Sequence, residues 1–217
     1  MGGIIMFDIL FPALGETIYM SFVATFFAVI IGFFLAIILI LSSKGGLRQN
    51  LKLYTVLDVV INTLRSFPFI ILMIVLFPLT KFLIGKSIGT TAAIIPLTIG
   101  AAPFIARLIE SAFKEVDRGV IEAAKSFGAS DWQIIFKVML IEAMPSIISA
   151  ITLTLITVIG FSAMAGAVGG GGLGDVAIKY GYYRFQTDTM IYTVIILIAL
   201  VQICQSAGDY LYKITKK

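Results

Sequence analysis

Five apolar stretches, each long enough to cross a bilayer as a helix, constrain this chain more than any other feature. They cover residues 18–41, 56–79, 88–105, 147–168 and 190–207. A hydrocarbon core about 30 Å thick needs roughly 20 mostly apolar residues in helical form. None of the stretches alternates polar and apolar residues as a membrane barrel strand does. Backbone amides without partners are costly in lipid, which leaves helices as the reading. Composition agrees, with 59% hydrophobic and 13% charged residues, against roughly 45–50% and 25% in soluble domains. The expected fold is an all-α membrane protein, with residues 1–217 as a single transmembrane domain of five helices.

The distribution of lysine and arginine orients those helices. Lys44, Arg48 and Lys52 follow the first stretch; Arg107, Lys114, Arg118, Lys125 and Lys137 lie between the third and fourth; Lys213, Lys216 and Lys217 end the chain. These eleven fall on one side, against four (Lys81, Lys86, Lys179 and Arg184) on the other. The positive-inside rule puts the N-terminus outside, and the C-terminus and the long insert, about 107–145, in the cytoplasm. The net charge of +4 is then a topology signal, and nucleic acid is not an expected partner. The start, Met-Gly-Gly-Ile-Ile-Met-Phe-Asp, lacks the basic segment of a secretory leader. With no histidine and one cysteine, no metal site is expected, and Cys204 reads as a packing residue.

Pro68 and Pro78 in the second stretch, and Pro96 and Pro103 in the third, are expected to kink those helices. The run 67–79 is too short to cross alone, so the second helix must carry Asp58, Asn62 and Arg65 on one face. Asp58 and Arg65 form a candidate charge pair within the span. The alternative is that Arg65 reaches back to the cytoplasmic surface. Gly166 and Gly170 make a small-xxx-small pair suited to close helix contact. Gly169, Gly171 and Gly174 match G-x-G-x-x-G literally, but no strand precedes them, so a dinucleotide site is not expected.

The insert is the one long polar interval, with five basic and six acidic residues between Arg107 and Glu142. It reads as two short helices around Gly128, a residue free to take a left-handed conformation. Ser130 and Gln133 form a capping box for the second helix. Trp132, Ile135, Phe136 and Met139 recur at i, i+3, i+4 and i+7, a single apolar stripe. Such a helix either lies on lipid headgroups or seats in a groove of a soluble partner.

Glu122-Ala123-Ala124, Gly128-Ala129 and the approach to Pro145 resemble the EAA loop of bacterial ABC-importer permeases. The blocks 65–72, 96–107 and 160–174 are similar to the methionine-importer subgroup of that family. The chain departs from the usual loop at Ile141, where a proline commonly follows the leucine at position 140.

The resemblance implies a transport subunit with no catalysis of its own, in the bacterial cytoplasmic (inner) membrane. It implies a homodimer, two ABC ATPase subunits that hold the ATP and magnesium, an extracytoplasmic amino-acid-binding protein, and surrounding membrane lipid. By motif position, Glu122, Ala123, Gly128 and Ala129, with Trp132, Ile135 and Phe136 of the stripe, are the ATPase-docking candidates. Phe161, Ser162 and Met164 are candidates for lining a methionine path that works by alternating access, with both stereoisomers as possible substrates. A permease for another amino acid or a small peptide is the alternative. An ion-coupled secondary transporter fits less well, since no internal repeat and no mid-span acid is visible.

Overall fold

The computed structural model describes residues 2–216, with side chains described from Asp8 onward. The readings of the first residues and of Lys217 therefore fall partly outside the described residues. Every regular element among those described is helical. Four helical runs are long and apolar enough to cross a membrane: Asp8–Ser42 within α1 (Gly2–Ser42), α5 (Thr90–Lys114), Asp131–Gly166, and α10 (Thr187–Thr215).

The second expected helix is broken. α2 (Leu51–Ser66) carries Asp58, Asn62 and Arg65 as expected, but α3 (Phe69–Val75) leaves it at 103°. Pro68 is the cause. The residue before a proline is driven out of the helical region, and Phe67 is extended at φ −69°, ψ 129°. Pro78 does not kink a helix either. It sits in the first turn of α4 (Phe77–Ile84), where its missing N–H costs nothing. Pro96 and Pro103, by contrast, lie inside an unbroken α5.

The core is the crossing of α1 and α5. Ala24, Ala28, Gly32 and Ala36 form a ridge of small residues four apart on α1. Ala93, Leu97, Ala101, Ile105 and Ile109 form the matching buried ridge on α5. Ridges of this spacing interlock, and small residues let the backbones approach. A β-carbon at Gly32 would collide with Ile105 and sit 2.9 Å from the Ala102 carbonyl oxygen.

Gly166 and Gly170 do not form the expected helix-contact pair. α8 (Leu140–Gly166) ends there, and the Gly170 N–H caps it by donating to the Ala165 carbonyl at 2.8 Å. Gly166 alone makes a close helix contact, against the backbone of Gly174 and Asp175 in the short helix beyond the glycine turn. The turn leads into the short helix α9 (Gly172–Val176), which α1 holds in place. Glu16 accepts from the Gly172 N–H at 2.7 Å, and Thr17 Oγ1 from the Leu173 N–H at 2.8 Å. In the π-helical segment that follows, Lys179 donates to Asp175 at 2.7 Å, and this bond holds its pKa above the ordinary lysine value. Cys204 is buried beside Ile159 and Leu200, where α10 packs on α8.

Candidate functional site

The polar insert folds as two helical arms joined at Gly128. Asp117 caps α6 (Arg118–Ser126), its carboxylate accepting from the Gly119 N–H at 2.6 Å. Gly128, at φ +78°, ends α6 in a Schellman turn. Its N–H donates to the Lys125 carbonyl at 2.9 Å, and the Ala129 N–H to the Ala124 carbonyl at 3.1 Å. Ala124 and Ala129, on either side of the turn, both pack on the core. The capping box forms: Ser130 Oγ accepts from the Gln133 N–H, and Gln133 Oε1 from the Ser130 N–H at 2.8 Å. The second arm is not a separate short helix. α7 (Asp131–Gln133) runs through a π-helical segment, Ile134–Met139, straight into α8.

That π segment divides the expected stripe. Wider hydrogen-bonded turns advance about 80° per residue, against about 100° in an α-helix. Ile135 and Met139 are turned into the core, at 1% and 4% exposure, and Ile135 is withdrawn from any docking face. Trp132 and Phe136 stay exposed and stack on each other, ring centroids 5.6 Å apart. On α6, Ala123 is exposed beside Val120 and Phe127, the last 91% exposed. Glu122 is exposed on a different face, where it lines a cavity with Arg118 and Lys125. Sequence reasoning missed Phe127; the available signal was an aromatic residue directly before the helix-ending glycine.

The α8 candidates separate in the same way. Ser162 is fully buried, and its hydroxyl donates to the Ile159 carbonyl at 2.7 Å, so it does not line an open path in this chain. A helical hydroxyl that has no polar neighbour turns to its own backbone. Met164 is half exposed. Phe161 stacks face to face on Phe69 of α3, with centroids 4.4 Å apart. The two rings wall a cavity of about 220 Å³ that also meets Arg65, Phe67, Leu72 and Phe104. Gly100 makes room for the Phe69 ring, since a β-carbon there would come within 3.3 Å of it.

The candidate pair Asp58–Arg65 is not formed. Two turns of helix separate the two residues, roughly 10 Å of rise, and Asp58 pairs with Arg107 of α5. Arg107 also binds Glu110 at 2.6 Å, as does Lys114, while the Tyr54 hydroxyl donates to Glu110 at 3.0 Å. Glu110 is only 2% exposed, and two cations and a phenol compensate its charge. The network fastens α2 to α5 close to the insert. Its sequence signal is the spacing of Arg107, Glu110 and Lys114 at i, i+3 and i+7.

A family model described as "binding-protein-dependent transport system inner membrane component" matches residues 36–215. The chain belongs to that family. Its members are inner-membrane components, and the apolar helices agree: the chain is a multi-pass membrane protein. It is 52% identical over 206 residues to the probable D-methionine transport system permease protein MetI of Vibrio cholerae, covering 95% of this chain and 92% of that one. The methionine import system permease protein MetP of Bacillus subtilis is 48% identical over 180 residues, covering 83% and 81%. A chain of the MetNI methionine ABC transporter, solved in inward-facing conformations, superposes with a TM-score of 0.96 at 43% identity, covering 98% of each chain.

Proposed function

We propose that this chain is the permease subunit of an ATP-driven methionine importer, working as a homodimer with two ATPase subunits and an external binding protein. The observation that carries the reading is the 43% identity and TM-score of 0.96 to the MetNI chain over nearly the whole length. The bent pair α2–α3 is then the fifth crossing, with the N-terminus outside and the insert in the cytoplasm. Uptake of labelled L- and D-methionine into proteoliposomes containing the cognate ATPase tests it. Methionine uptake that needs ATP is expected; preference for another amino acid, or uptake without the ATPase, overturns it.

Docking falls to the outward aromatics of the insert, Phe127, Trp132 and Phe136, with Ala123 beside them. Exposed apolar clusters of this kind mark protein interfaces. Movement of the insert passes directly to the path, because residues 131–166 form one continuous helix bearing Trp132 at one end and Met164 at the other. ATP drives alternating access because it favours the arrangement in which the ATPase subunits close on the paired inserts. Phe127→Ala combined with Trp132→Ala should weaken ATPase association at least tenfold, a loss of about 1.4 kcal/mol or more. Co-purification titrations measure it; unchanged association removes these residues from the docking surface.

Phe161 and Met164 line the path, and a thioether facing an aromatic ring suits a methionine side chain. Met164→Ala should change the uptake ratio of methionine to other apolar amino acids without loss of complex assembly. An unchanged ratio removes Met164 from the path.

A further inference from the structure

A cavity of about 420 Å³ lies between the α1–α2 connection and α6, and of its lining only Glu122 is a docking candidate. Four cations reach it: Lys44 from the connection, Lys114 from the end of α5, and Arg118 and Lys125 from α6. Glu122 is the one carboxylate in its wall. Lys114 is engaged by Glu110 at 2.6 Å. Among the described residues, Lys44, Arg118 and Lys125 have no such ion pair. The remaining wall is mixed, with the apolar side chains of Leu41, Phe113 and Met139 beside Ser43 and Tyr54.

Two walls of like charge facing across a cavity repel unless an anion lies between them. A freely hydrated anion has no use for the apolar wall, whereas a phospholipid presents both a charged phosphate and methylenes. The level is also right, because Leu41 and Ser43 stand where α1 leaves its apolar run. Basic pockets between helices on the cytoplasmic side suit anionic headgroups. The faces of α6 agree: Arg118, Ile121, Glu122 and Lys125 look into the cavity, while Val120 and Phe127 are exposed away from its lining.

We propose that this cavity binds the headgroup phosphate of an anionic phospholipid, with the first acyl methylenes over Leu41 and Phe113. The lipid joins the α1–α2 connection to α6 and so steadies the insert against the helix bundle. The site is independent of which amino acid is transported.

The test uses the intact permease–ATPase complex in nanodiscs of phosphatidylethanolamine with a minority of phosphatidylglycerol. Native mass spectrometry reads the lipids retained. Wild type should retain phosphatidylglycerol in preference, and the preference should fall about fivefold for each cation neutralised in Lys44→Gln and Arg118→Gln. Lys86→Gln, the same charge change beyond the far end of α4, should leave it unaltered. Unchanged preference in the double variant, eluting as an intact complex, overturns the site. Displacement of the lipid by inorganic phosphate alone assigns the cavity to a soluble anion and overturns the lipid. Loss of the ATPase subunit with lipid retained makes the cavity a protein-docking surface, which also defeats the proposal.

Discussion

Gly128→Val is expected to cut ATP-driven uptake at least about tenfold while the chain remains in the membrane. The effect comes from the backbone alone, because no atom lies within 4 Å of a β-carbon built at this position. At φ +78°, a residue with a β-carbon pays about 1–2 kcal/mol, and a β-branched one more. Relief requires leaving the left-handed region, which breaks the Schellman bonds to Lys125 and Ala124 and changes the angle between α6 and α7. On the proposed reading, that angle presents Phe127 and Trp132 to the ATPase together. Uptake should fall at least about tenfold for valine and clearly less for Gly128→Asn, since asparagine tolerates the left-handed region. Proteoliposomes loaded with equal amounts of each permease measure it. Valine transporting as well as glycine would remove the joint from the mechanism.

The parts of this fold that depend on local chemistry were legible in the residues. The Gly128 joint and the Ser130–Gln133 capping box both form, because each is settled by a few neighbours and a known dihedral. What could not be read was the hydrogen-bond period after Gln133. It changes from α to π over Ile134–Met139, and the stripe lies at the edge of the buried face, with Ile135 inside and Trp132 outside. The second span misled for a related reason. Hydropathy continues unbroken across 67–79, while Pro68 turns the chain by 103°. Ser162 is a third case: its motif position does not tell which way it faces on α8, and it is fully buried. The network around Glu110 was half visible, since the i, i+3 and i+7 charges lie within one helix but Asp58 and Tyr54 arrive from another.

The small-residue ridge of α1 was present in the sequence at four-residue spacing, and its meaning appears only with α5 beside it. Its most exacting member is Gly32. Gly32→Ala should destabilise the chain by about 1–3 kcal/mol, the usual range for forcing volume into a packed interior, and Gly32→Leu should prevent folding. The added methyl meets Ile105, which can move, and the Ala102 carbonyl oxygen at 2.9 Å, which cannot without shifting α5. Gly15→Ala separates this collision from a general intolerance of substitution in the same helix. Nothing lies within 4 Å of its β-carbon, and removing a helical glycine gains roughly 0.5–1 kcal/mol. Thermal melting in detergent should therefore move down for Gly32→Ala and stay level or rise for Gly15→Ala. Ile105→Ala in the Gly32→Ala background should recover only part of the loss, because the clash with the backbone oxygen persists. Full recovery would mean that the side chain alone sets the spacing of α1 and α5; no loss in Gly32→Ala would mean that the two helices do not cross as closely as the ridge requires.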